Sequence, residues 1–202
     1  LNALHSAAMP DSARNVGEEL THLISTIGEN MTMRRAATIS VTKGALASYV
    51  HSAISPGLGK IGVLVGLESD ADADKLSEVG KQIAMHIAAA KPLSVSQDDL
   101  DPEELEREKS ILAEQARDSG KPENIIEKMV EGRLRKYYEE VCLLDQVFVI
   151  DGETKISDVL AKAGNDLGAP VSVSGVALFV LGEGVEKKEE DFAAEVAAAA
   201  AG

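Results

Sequence analysis

The sequence predicts an α+β fold: a small antiparallel sheet covered by helices, with an inserted antiparallel helical hairpin and a C-terminal helix. Three observations carry this expectation. Residues 45–51 (ALASYVH), 61–67 (IGVLVGL) and 171–181 (VSVSGVALFVL) are short strand-like runs bounded by turn residues. Stretches with apolar residues at helical spacing separate them. Two long helical patterns also follow one another directly, with only a few turn residues between them, which is the pattern of an antiparallel hairpin. Because α/β-patterned sequence flanks that hairpin on both sides, it is an arm inserted into a body.

Taken in order, Leu1, Leu4 and Ala8 have helical spacing before Met9-Pro10-Asp11-Ser12 breaks the pattern. Val16, Leu20, Leu23, Ile24 and Ile27 then share one face of a helix, with Gly28 as its C-cap. Alternation at Met33, Ala37, Ile39 and Val41 predicts a strand over 31–41. Lys43-Gly44 turns the chain into the strand at 45–51, and Ser52–Gly59 links it to 61–67 as a hairpin loop. Leu76, Val79, Ile83 and Ile87 mark a helix ending near Lys91-Pro92, and 93–100 is a polar connector.

The arm begins at Asp101-Pro102, with Leu105, Leu112 and Ala116 on one side of its first helix. A tight turn at Ser119-Gly120 leads to Pro122, placed at the first helical position, where its missing N–H costs nothing. Ile125, Ile126, Met129, Val130, Leu134 and Tyr137 form the stripe of the second helix. Beyond the arm, 147–150 reads as a short extended segment. A helix follows over Ile156, Val159, Leu160, Ala163 and Leu167, then the 171–181 strand, which Gly182-Glu183-Gly184 closes. Residues 189–200 form a final helix, with Phe192 and Val196 on one side.

Composition narrows the function classes. With 34 acidic against 20 basic residues, the net charge is −14, the wrong sign for neutralising phosphates, so direct nucleic-acid binding is not expected. A partner with a basic face remains compatible. No apolar run approaches the roughly 20 residues that span a bilayer, so no membrane association is expected. Cys142 is the single cysteine, which excludes an intrachain disulfide and suits a reducing compartment. It lies in the apolar run Val141–Leu144, where a buried packing role outweighs a nucleophilic one.

The motifs point away from chemistry. Gly57-Leu58-Gly59-Lys60-Ile61-Gly62 matches G-x-G-x-x-G, but a dinucleotide fingerprint needs a helix after it and these glycines lead into a strand. No G-x-x-x-x-G-K-[ST] phosphate loop is present. His5, His22, His51 and His86 lack zinc spacing, so no metal is expected. His86, among Ile83, Ala84 and Ile87, reads as a partly buried packing residue, whereas His51 ends a strand beside a loop and is a contact candidate. The Glu103–Lys109 and Glu186–Asp191 charge runs read as solvated helix faces. Nothing assembles a nucleophile, a base and an oxyanion site, so a protein-binding surface is the better reading than an active site.

Several blocks, in order from about residue 27 to the end, resemble the elongation factor Ts family. They are Ile27-Gly28-Glu29-Asn30 with Arg34-Arg35, Ser48-Tyr49-Val50-His51, Ile61–Val65, Ile83-Ala84-Met85-His86, Ser119–Pro122, Glu127–Arg133 (EKMVEGR), Gly182-Glu183-Gly184 and Asp191–Val196. EKMVEGR is the most specific of them. The resemblance implies a guanine-nucleotide exchange factor, not an enzyme. Such a factor uses no cofactor and loosens the hold of its partner GTPase, elongation factor Tu, on GDP. It also implies a cytoplasmic, bacterial-type location. Position by position, it places Ile27, Gly28, His51, Val149, Ile150, Phe192 and Val196 against the GTPase. Ile150 stands where the family often has Met.

The same resemblance divides the chain into a remnant of a first core subdomain (1–44), a second core subdomain (45–92 with 144–184), the hairpin as a coiled-coil or dimerisation arm (93–143) and a C-terminal module (185–202). The family's Thr-Asp-Phe-Val motif does not occur in the sequence. The expectation is therefore a fragment that binds the GTPase with reduced exchange activity. The alternative is a structural or assembly module whose hairpin pairs with a second copy or a different partner.

Overall fold

The computed structural model describes residues 1–118 and 120–185. The predicted turn residue Ser119 and the predicted helix at 189–200 lie outside them. The chain separates into two compact units, Leu1–Thr38 and Ile39–Gly202.

The first unit contains α1 (Asn2–His5) and α2 (Val16–Ile27). Asn15 starts α2 through a reciprocal cap: its Oδ1 accepts the Glu18 N–H at 2.8 Å, and the Glu18 carboxylate accepts the Asn15 N–H at 2.9 Å. Gly28 ends it at φ +80°, a left-handed conformation in which its N–H reaches the Ile24 carbonyl at 2.9 Å.

The second unit is a three-stranded antiparallel sheet in the order β1 (Gly44–His51), β2 (Ile61–Glu68), β3 (Ser172–Val180). As predicted, the fold is α+β, with the helical arm inserted between the second and third strands. Alternate residues Val63, Val65 and Leu67 of β2 are buried against Ile83, Ala84 and Ile87 of α3 (Ala73–Ala90). Across the sheet they pair with Leu178, Val176 and Val173. The shift from even to odd numbering along β3 comes from a bulge that leaves Ser174 unpaired and so keeps all three β3 side chains on the core face. Asp72 caps α3 by accepting the Lys75 N–H at 3.1 Å. At Gly80, α3 comes so close to β1 that an added Cβ would lie 2.7 Å from the Ala47 Cβ. Leu143, Phe148 and two residues of α6 (Ile156–Leu167), Ile156 and Leu160, complete the core.

The arm consists of α4 (Pro102–Arg117) and α5 (Glu123–Val141). Pro122 precedes α5 as its N-cap instead of occupying its first turn. At the base of the arm two segments run side by side, with Leu143 N–H donating to the Ser94 carbonyl and Leu144 N–H to that of Val95, both at 3.0 Å. Cys142 is buried there, and desolvation pushes its thiol above the ordinary value, as expected of a packing residue.

Two predicted extended segments are corrected. Residues 31–41 form no strand among the described residues. The alternation is genuine, because Ile39 and Val41 are half-buried while Ser40 is exposed. Their side chains lie over the sheet at Gly66, where an added Cβ would be 2.9 Å from Ile39 Cγ2 and 3.1 Å from Val41 Cγ1. A segment lying across a sheet face shows the same period of two as one paired at its edge, so periodicity alone does not separate them. Residues 147–150 are likewise not a strand. Val147 makes a single antiparallel bridge to Lys155, and the chain then turns.

Candidate functional site

The predicted contact residues within the described part of the chain sit at the ends of elements or on a loop tip. Ile27 is the last residue of α2 and is 55% exposed beside the left-handed Gly28. The apolar face that forms the helix leaves its final side chain in solvent, and the cap then turns the backbone sharply away. His51 is the last residue of β1, also exposed, and the phenol oxygen of Tyr49 lies 3.1 Å from its Nδ1. Tyr49 is partly packed against the core, so this contact ties the exposed imidazole to a held side chain. The hairpin loop after His51 carries Ile54 and Leu58 and is closed by Ile54 N–H donating to the Leu58 carbonyl at 2.9 Å. The G-x-G-x-x-G match therefore serves a β-hairpin, as its place before a strand indicated.

Val149 and Ile150 sit at the tip of a tight loop between the arm and α6, 48% and 52% exposed. The loop is closed by Phe148 N–H to the Thr154 carbonyl at 2.7 Å and Gly152 N–H to the Phe148 carbonyl at 2.8 Å. The Asp151 carboxylate accepts the N–H groups of Glu153 and Thr154, both at 3.0 Å, and these bonds hold its carboxyl below the ordinary value. Phe148 enters the core while its neighbours on both sides, Val147 and Val149, face out.

Sequence reasoning assigned His86 only to packing. The structure shows a fully buried imidazole with both nitrogens engaged. The Val149 N–H donates to Nδ1 at 3.2 Å, so the ring proton is on Nε2, which donates to Gln146 Oε1 at 2.9 Å. Gln146, also buried, donates through its amide nitrogen to the Glu140 carbonyl near the end of α5 at 2.6 Å. Desolvation lowers the His86 pKa, and the Gln146 bond opposes this more weakly. The only sequence-level signal was a histidine on the apolar face of a helix; its partners lie 60 and 63 residues further along.

The topology sets His51 and the 149–150 tip at one end of the sheet. The connection from β2 to α3 is four residues long (Ser69–Asp72), so α3 returns along β2 and carries His86 toward the end where β1 finishes and β2 begins. Ile27 and Gly28 belong to the other compact unit. Phe192 and Val196 lie outside the described residues.

Among the described residues no group of three or more His, Cys, Asp or Glu side chains could hold a metal ion, and no helix is long and apolar enough to cross a membrane. The groove along the arm, about 680 Å³, is lined by Ala113, Ile126, Val130 and Leu134 with charged residues such as Lys109 and Glu131 at its margins, and has neither a histidine nor a cysteine in its wall. What stands out is apolar side chains displayed on braced loop tips.

These features define an α+β protein with a helical arm inserted into a three-stranded antiparallel sheet and exposed apolar residues at a helix end and on a loop tip. The sequence profile of elongation factor Ts matches residues 1–183. Among its relatives are proteins called elongation factor Ts from Rhodospirillum centenum, 62% identical over 197 residues, and Paramagnetospirillum magneticum, 60% identical over 200 residues. That from Sinorhizobium medicae is 50% identical over 200 residues. These alignments cover 98–99% of this chain but only 64–65% of each relative. The chain belongs to the elongation factor Ts family.

Proposed function

We propose that this chain binds the translational GTPase elongation factor Tu in the cytoplasm and promotes release of its GDP, acting as a guanine-nucleotide exchange factor and not as an enzyme. The observation that carries the reading is the family match over residues 1–183, and the exposed, braced Val149-Ile150 tip is consistent with it. In this reading His51, Val149 and Ile150 make one set of contacts, Ile27 and Gly28 another, and Phe192 and Val196 a third. Residues 93–143 form the arm, and 45–92 with 144–184 form the body that presents the second-unit contacts.

The mechanism needs no bond-making step. A factor that binds the nucleotide-free GTPase more tightly than the GDP-bound form lowers the affinity for GDP. Linkage requires GDP to weaken the factor's binding by the same ratio, so incoming nucleotide expels it. The family's Thr-Asp-Phe-Val motif does not occur in this sequence, so the reading includes binding with reduced exchange.

Release of fluorescent GDP from purified elongation factor Tu tests this. The 202-residue chain is expected to bind the GTPase and accelerate release less than a full-length relative does. Neither binding nor any acceleration would overturn the reading. A chain lacking residues 100–140 is expected to keep much of its GTPase binding; a parent chain that self-associates without binding the GTPase, and loses that association in the deletion, would favour an assembly role for the arm, where Ile111 and Ile125 are exposed.

A further inference from the structure

We propose that His86 is a positioning residue for partner binding: its buried imidazole pins the Val149 backbone and so holds Val149 and Ile150 in the orientation that contacts the GTPase. This rests on the reading above that these two residues face the partner.

The argument begins with what packing alone would require. Position 86 lies on the buried face of α3, where an apolar side chain would fill the space without desolvating two polar nitrogens. Both nitrogens bond to the same stretch of chain, Gln146 and Val149, on either side of the buried Phe148. The two bonds that close the loop join Phe148 to Thr154 and Gly152, and so brace it against itself. The bond to Nδ1 joins its exposed part to α3. Without an acceptor at that point, the Val149 N–H would be left unpaired against the protein or would have to turn toward water. Turning that peptide reorients the two side chains that flank the tip. The ring centroid of Phe148 lies 6.0 Å from that of His86, so the aromatic anchor and the hydrogen-bonded anchor support the loop from one place.

Three substitutions separate positioning from filling. In His86→Asn the side-chain oxygen can take the place of Nδ1 as acceptor. His86→Gln reaches toward Gln146 instead, and His86→Phe fills the site with no acceptor. Binding of each purified variant to nucleotide-free elongation factor Tu is measured by calorimetry, alongside hydrogen exchange at the Val149 amide and the unfolding midpoint. His86→Phe and His86→Gln are expected to lose Val149 protection and to bind about tenfold more weakly, the scale of removing one well-packed interface residue. His86→Asn is expected to retain both, even where its midpoint falls.

Affinity that follows the unfolding midpoint across the series, or that is unchanged in His86→Phe, would overturn the proposal. Val149→Ala and Ile150→Ala provide the separate check on the underlying reading. If they weaken binding and the His86 variants do not, only the positioning role fails. If neither they nor the parent chain's binding responds as expected, the contact assignment fails and the positioning role with it.

Discussion

The body around α3 and the arm formed by α4 and α5 both contain long helices, yet they are held together very differently. In the body, Leu67, Leu76, Ile83 and Ile87 are completely buried. Along α4 and α5 only Ala116 and Ile126 are buried; Leu112, Ala113, Met129, Val130 and Leu134 are half-buried, and Arg133 Nη1 donates to Gln115 Oε1 at 3.1 Å. The arm is a pair of helices that barely share a core. The body is a packed wedge that also fixes the loop carrying Val149 and Ile150. Exposed backbone and few buried contacts predict opening at lower free energy in the arm than in the body.

The largest expected effect comes from breaking the body. Ile83→Ala removes a completely buried side chain from the core shared by the sheet and its helices, in surroundings that cannot collapse easily, and should cost about 3–5 kcal/mol. Chemical denaturation should register this as a fall in the midpoint of the whole second unit.

Ile126→Ala makes the same kind of cavity in the arm, where the opposing helix can settle inward, and should cost about 2 kcal/mol, the low end of such truncations. Hydrogen exchange is expected to speed up across α4 and α5 while amides of α3 keep their protection. Equal loss of protection in α3 would show that arm and body form one cooperative unit.

The smallest effect is a dependence on pH. Burial lowers the folded-state pKa of His86 below its ordinary 6.5, so the unfolded chain takes up a proton that the folded chain resists. The stabilisation is fully present above pH 6.5 and is lost as pH falls from there toward the folded-state value. The arm helices contain no histidine. Denaturation midpoints measured at pH 8 and pH 6 should therefore fall for the body, and in His86→Asn that part of the fall should vanish. An undiminished slope in the variant would assign it to other groups.

Much of this architecture was legible before folding, because it depends on local chemistry. Asp101 before Pro102, Gly28 after α2, and the short apolar run at 61–67 bounded by turn residues each act within a few residues, and the observed elements start and stop close to these signals. The expected exposure of His51 was legible for the same reason, since a residue that ends a strand beside a turn has few neighbours to bury it.

Tertiary structure decided what depends on partners distant in sequence. The end of the period-two pattern, Ile39 and Val41, became a cover over the sheet at Gly66 instead of a strand, because periodicity records which side is buried and not what buries it. The bulge at Ser174 set which β3 residues face inward, since register is a property of two strands together. His86 followed the same rule. Its place on an apolar helix face was written in the sequence, but the acceptor it offers to Val149 exists only once α3 has packed beneath a loop 63 residues away.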